Sequence, residues 1–149
     1  MTLKEPIPRS VELLDAIKEA LTPNRLPLLI AIDGADGSGK SSLASWLAWQ
    51  LGMPAVQLDL YLTDTKPIQW LTADLARVVA RRLDGKRPVI VDGVLALDAL
   101  DQIGHKPNFL VFVKGGYAGS SLAPQIIRYQ SRRKFPALAD FIIDGYLDP

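Results

Sequence analysis

Cysteine is absent from the 149 residues, and His105 is the single histidine. Disulfides and thiolate metal sites are therefore excluded, and a cytoplasmic location is the expectation. Neither sign of charge prevails: 17 Lys and Arg stand against 16 Asp and Glu, a net charge of +1. The only basic block is the late stretch from Arg128 to Lys134, so nucleic acid is not an expected partner. Long hydrophobic runs are missing as well. The apolar stretches are strand-sized and broken by charges, and the opening MTLKEPIPRS lacks the apolar centre of a signal peptide, so no membrane partner is expected. What is left is a soluble chain of one ordinary domain, residues 1–149, long enough to bury a core without metals or cross-links. A homo-oligomer is compatible with it.

The informative stretch is Leu28 to Leu47, LLIAIDGADGSGKSSLASWL. An apolar run, Leu28 to Ile32, leads into Gly34-Ala35-Asp36-Gly37-Ser38-Gly39-Lys40-Ser41-Ser42, and a helical pattern follows with Leu43, Trp46 and Leu47 on one face. This is the phosphate-binding signature G-x-x-x-x-G-K-[ST] between a strand and a helix. Glycines let backbone N–H groups turn inward around phosphate, and the helix N-terminus adds partial positive charge. Lys40 is expected to reach the β- and γ-phosphates, and the Ser41 hydroxyl to ligate magnesium. A nucleoside triphosphate with Mg2+ is thus expected.

Elements alternate along the rest of the chain. Ser10 is the expected N-cap of a helix whose buried face carries Val11, Leu14, Ile17 and Leu21, stopped by Thr22-Pro23-Asn24. The helix after the glycine-rich loop should end at Gly52, with Pro54 beyond. Ala55 to Leu58 reads as a second strand ending in Asp59-Leu60-Tyr61. Trp70 to Leu83 reads as a helix burying Leu71, Leu75, Val78 and Leu83, with Arg77 and Arg81 one turn apart. Pro88 to Val91 is a third strand ending in Asp92-Gly93. A short helix from Leu97 to Ile103, a strand from Phe109 to Val113, a glycine-containing loop from Lys114 to Ser121, a helix from Pro124 to Lys134 and a strand from Ala139 to Asp144 complete the chain. Strands alternating with helices imply an α/β fold with a parallel sheet, and binding at the carboxyl ends of its strands.

Those ends select the candidates. Asp92 stands where a carboxylate can hold magnesium through water, its other reading being a cap for the helix that follows. Asp59, on the same edge, could accept the proton of an attacking hydroxyl or orient it, or merely cap a loop. Arg128 and Arg132 lie four apart with Arg133 beside them, placed either to meet a transferring phosphate or to form a solvated helix face. Tyr61, Gln69 and Trp70 follow the second strand, where an acceptor would rest, although aromatic residues there also serve packing. His105 reads as a loop residue.

Together IAIDGADGSGKSSLA, VQLDLYL, PVIVDGVLAL and FLVFV resemble the uridine kinase group of P-loop kinases, with phosphoribulokinase and pantothenate kinase as relatives. The resemblance covers roughly Leu28 to Val113, with an echo in the last strand. It implies a three-layer α/β/α fold of the P-loop NTPase type, with a five-stranded parallel sheet in the order 2-3-1-4-5. It carries the presumed catalytic base onto Asp59 and the acidic-Gly pair onto Asp92-Gly93. The resemblance makes the nucleotide ATP, and the implied activity is transfer of the γ-phosphoryl group of Mg-ATP to a hydroxyl of a small molecule, nucleoside-like or another alcohol. The group's R-R-x-x-R-D lid has no counterpart between Lys114 and Ala123, and Arg128, Arg132 and Arg133 arrive too late to match it. Two other readings stand beside this one. A switch GTPase needs an N-K-x-D motif, which is absent; a nucleotide-binding ATPase or regulatory module without phosphotransfer would not need the lid.

Overall fold

Strands that are apolar on both faces belong in the middle of a layered structure, and the computed structural model places them there. It describes residues 4–21, 28–64, 67–116 and 121–146. The expected stop at Thr22-Pro23-Asn24 and part of the late glycine-containing loop, Tyr117 to Ser120, lie outside the described residues. The elements are α1 (Ser10–Leu21), β1 (Leu29–Gly34), α2 (Lys40–Leu51), β2 (Ala55–Gln57), a 3-10 turn (Leu58–Tyr61), α3 (Thr72–Asp84), β3 (Val89–Gly93), α4 (Ala96–Gln102), β4 (Phe109–Lys114), α5 (Ala123–Arg132) and β5 (Phe141–Asp144). Every strand pair is parallel, and the sheet order is β2-β3-β1-β4-β5. That is the expected order.

The alternation of side chains along β1 sorts the helices into two layers. Leu29 and Ala31 pack in one core with Leu75 and Val79 of α3, Leu100 of α4 and Ile126 of α5. Ile30 and Ile32 point the other way, into a core with Leu13 and Ile17 of α1 and Leu43 and Leu47 of α2. The register aligns the strand ends that matter: Ile32 lies beside Asp92, Asp33 beside Gly93, and Gln57 beside Asp92. One edge therefore collects the ends of β1, β2 and β3.

Local departures from expectation have physical causes. Ser10 is not the cap of α1 but its first buried residue; its hydroxyl turns back to donate to the Ile7 carbonyl at 2.6 Å. Arg9, at φ 72°, supplies the first accepting carbonyl, to Leu13 N–H, and the Glu5 carboxylate accepts from Val11 N–H at 2.8 Å. The buried stripe then runs through Leu13, Leu14, Ile17 and Leu21, leaving Val11 43% exposed. In α3 the stripe is Leu75 and Val79, with Leu83 half-buried, while Leu71 and Val78 are exposed. Leu71 precedes the helix, its N–H held by the Tyr61 carbonyl at 2.6 Å. Val78 looks past Val56 of β2, which is the edge strand, so no further strand covers it. Leu58, expected at the end of β2, instead begins the 3-10 turn and packs on Gly93, where a Cβ would stand 2.6 Å from that of Leu58. Only glycine lets the Asp59 turn settle this close to the end of β3.

Candidate active site

The loop from Gly34 to Ser41 emerges from β1 and feeds α2. Gly39 takes the left-handed conformation at φ 95°, and a Cβ there would lie 2.9 Å from the Tyr146 ring. Both facts require glycine. The loop is held from outside: Tyr146 N–H donates to the Ser38 carbonyl at 2.9 Å, and the Tyr146 hydroxyl donates to the Pro6 carbonyl at 2.9 Å. Residues just past β5 and just before α1 thus brace the loop's outer face.

Its inner face is polar and incompletely satisfied. Ser38 is buried, and its Oγ has no hydrogen-bond partner among the described residues. Lys40 is buried too, with Nζ donating to the Ala35 carbonyl at 3.3 Å. Ser41 Oγ donates to Asp92 Oδ1 at 3.3 Å, and the buried Asp92 Oδ2 is without a partner among the described residues. A buried orphan oxygen is costly unless something binds it. Burial pushes the Asp92 carboxyl up to about 6, against the charge of Lys40 and the Ser41 bond, with the nearby charge of Asp59 adding to the rise.

A hydroxyl, a carboxylate oxygen with nothing bound to it and a lysine at a phosphate loop are the donor set that suits Mg2+ shared with phosphate oxygens. Among the described residues no group of three or more His, Cys, Asp or Glu stands together as a metal cage. Ser41 and Asp92 are the residues that would hold such an ion, whose part would be to neutralise phosphate charge. Asp59 is exposed on the 3-10 turn, close enough to Asp92 for its charge to be felt there. Gly34 to Ser42, Asp92 and Asp59 are therefore brought to one edge.

The arginines are placed differently. Arg132 donates to Asp98 at 2.6 Å, and Arg133 donates to Asp98 and Asp101 at 2.5 Å each. Burial would raise the Asp98 carboxyl, but the two guanidinium groups outweigh it and hold it below the usual range. These arginines fasten α5 to α4. Arg128, one turn earlier, is exposed and makes no ion pair among the described residues. Beyond the Asp59 turn, Leu62 and Trp70 form an antiparallel bridge, and the Gln69 carbonyl accepts from Thr63 N–H. Tyr61 is half-buried and Trp70 buried, both packed in the α3–α4–α5 core. His105 lies in the α4–β4 loop, its N–H on the Leu100 carbonyl.

Sequence reasoning missed a buried pair beneath the loop. The Tyr129 hydroxyl donates to Asp33 Oδ2 and accepts from Leu97 N–H at 3.0 Å. Asp33 also accepts from the N–H groups of Gly34 and Ala96. Burial drives its carboxyl up to about 7 despite those bonds and the charge of Lys40, and burial beside Asp33 drives the Tyr129 phenol up as well. The available signal was a lone charge closing the apolar run Leu28 to Ile32, with no turn residue between it and the strand.

A parallel sheet in this order, with a glycine-rich loop running from the central strand into a helix, defines a layered α/β fold. A solved structure described as a possible uridine kinase from Bacillus stearothermophilus superposes with a TM-score of 0.68, covering 91% of this chain and 97% of that one at 16% identity. Shikimate kinase from Bacteroides thetaiotaomicron (TM-score 0.45, 18% identity, 79% and 86% covered) and a sugar kinase from Janibacter (0.49, 16%, 79% and 85%) are more distant in shape. No family model and no curated protein sequence matches the chain. The likeness is one of fold.

Proposed function

We propose that the protein is a P-loop small-molecule kinase that transfers the γ-phosphoryl group of ATP to a hydroxyl acceptor, in the manner of the uridine kinase group. The observation that carries this reading is the buried Asp92 with its free oxygen, bonded to Ser41 and set beside Lys40. That arrangement serves a bound, metal-neutralised polyphosphate better than it serves the fold, because the fold leaves the oxygen unsatisfied.

In this reading the backbone N–H groups from Gly34 to Ser42 cradle the phosphates, and Lys40 moves from the Ala35 carbonyl onto their oxygens. Mg2+, when bound, neutralises charge on the β- and γ-phosphates. Ser41 and Asp92 would hold it. Asp59 accepts or orients the acceptor's proton from its exposed turn, leaving Asp92 committed to the nucleotide side. Arg132 stays a candidate for phosphate contact only if it leaves Asp98, while Arg128 stays a candidate with no ion pair to break among the described residues.

Calorimetry with Mg-ATP tests the nucleotide assignment. Lys40→Ala should weaken binding roughly ten- to a hundredfold, the scale of lost hydrogen bonds to charged groups. Unchanged affinity in a folded variant overturns it. The bonding of Arg132 and Arg133 to α4 favours a second reading, a nucleotide-binding module without phosphotransfer. ATP turnover with and without a panel of alcohols separates the two.

A further inference from the structure

At the edge of the sheet, β2 and α3 leave a face uncovered. Pro54 and Val56 of that edge, Val78 of α3 and three arginines, Arg81, Arg82 and Arg87, line a cavity of about 450 Å³. Pro54 precedes β2 and Arg87 precedes β3, whereas the phosphate loop follows β1, so parallel strands set cavity and loop toward opposite ends of the sheet. The floor is apolar, with Val56 buried and Val78 37% exposed. No carboxylate is among the described residues that line it.

The arginines of this region differ in what they do. Arg77, one turn before Arg81, is paired with Asp74 at 2.6 Å and stands outside the cavity. Arg82 donates from Nε and Nη2 to the Pro88 carbonyl at 3.2 and 2.9 Å, which fastens the turn between α3 and β3. Arg81 and Arg87 are exposed and make no ion pair among the described residues. Backbone bonds hold the two near each other: Gly85 N–H meets the Arg81 carbonyl at 3.4 Å, and Arg87 N–H meets the Arg82 carbonyl at 3.0 Å. Two positive charges without a carboxylate partner thus share one cavity with an apolar floor.

We propose that this cavity is a second ligand site, separate from the phosphate loop, for a small organic phosphate monoester whose apolar body rests on Val56 and Val78 while Arg81 and Arg87 hold its phosphate. The volume lies within the range of small-molecule sites, about 300–1,000 Å³. A phosphate monoester carries close to two negative charges at neutral pH and meets guanidinium groups in paired hydrogen bonds, whereas a carboxylate would leave one of the two charges unmatched. The apolar floor selects an ester over the free ion, because it gives a hydrocarbon body a surface to cover. None of the lining residues belongs to the phosphate loop, and neither Asp92 nor Asp59 is among them, so the site does not depend on the kinase reading.

The test is an NMR titration of the whole chain, labelled at arginine side chains and valine methyl groups, with Mg-ADP present to fill the phosphate loop. Phenyl phosphate is added in one arm, inorganic phosphate in a second and benzoate in a third. Phenyl phosphate should shift the Arg81, Arg87 and Val78 resonances saturably, and roughly tenfold or more tightly than either of the others. Joint replacement by Arg81→Gln and Arg87→Gln should weaken that response at least tenfold while the remaining valine methyl resonances keep their places, which shows the variant folded. Absence of a saturable shift in the wild type overturns the site, and so does a response unchanged in the double variant. A shift of equal strength with inorganic phosphate would be ion screening by exposed guanidinium groups, and it too overturns the site. Benzoate binding as tightly as phenyl phosphate overturns the choice of a phosphate.

Discussion

Asp92 has two chemical states to choose between in the working range of the protein, because burial has moved its carboxyl to about 6. Only the ionised form can serve magnesium, so affinity for Mg-ATP should weaken as pH falls through about 6, while Asp92→Asn should show a flatter pH dependence and a weaker magnesium requirement. Calorimetry at several pH values with and without magnesium measures both; identical profiles for variant and wild type would make Asp92 a structural cap. Asp59 is the complementary case, since it is exposed and adjacent to Asp92. Asp59→Asn should leave ATP binding intact and lower phosphotransfer by about 10²–10⁴-fold, roughly 3–5 kcal/mol of barrier. Loss of ATP binding in that variant would move Asp59 into the magnesium site, and full turnover would remove it from the chemistry.

Among the elements, the contact between α4 and α5 departs furthest from what the sequence suggests. Asp98 accepts four hydrogen bonds from Arg132 and Arg133, and its side chain is 22% exposed. Asp98→Asn should cost about 1–2 kcal/mol in denaturant unfolding and raise hydrogen exchange in α5 more than elsewhere. Exchange unchanged in α5 would mean that apolar packing through Ile126 and Tyr129 alone fixes the helix. The sequence shows why this contact was illegible. The phosphate loop is a local motif whose strand, turn and helix follow one another without a break from Leu29 to Leu51, and the β-branched runs carry the sheet by composition. Asp98 meets arginines more than thirty residues later, a pairing no periodicity encodes. The same limit hid Asp33 and Tyr129, and it explains α3, where Val78 has the right spacing for burial but faces an edge that the sheet order leaves open.

Across the whole molecule, the parallel sheet gathers the ends of β1, β2 and β3, and the chain tolerates poorly satisfied groups there while burying apolar residues on both faces. Stability then depends on pH through Asp33, the residue that leads into the loop. Its carboxyl is raised to about 7 in the folded protein, against about 3.9 in an unfolded chain. A raised carboxyl contributes stability fully below about pH 4, and that contribution is lost as pH climbs through about 7. Asp33→Asn keeps a carbonyl oxygen for the Tyr129 hydroxyl but cannot ionise. The difference in stability between wild type and variant should therefore fall with rising pH between about 4 and about 7, by at most about 1.4 kcal/mol per pH unit, and level off above. Subtracting the variant removes the titration of Asp92, which both proteins share. Urea unfolding of the two at matched pH supplies the curve. A difference that rises with pH would show Asp33 ionised and stabilised in the fold, held by Tyr129, the Gly34 and Ala96 amides and the charge of Lys40 more strongly than burial opposes it.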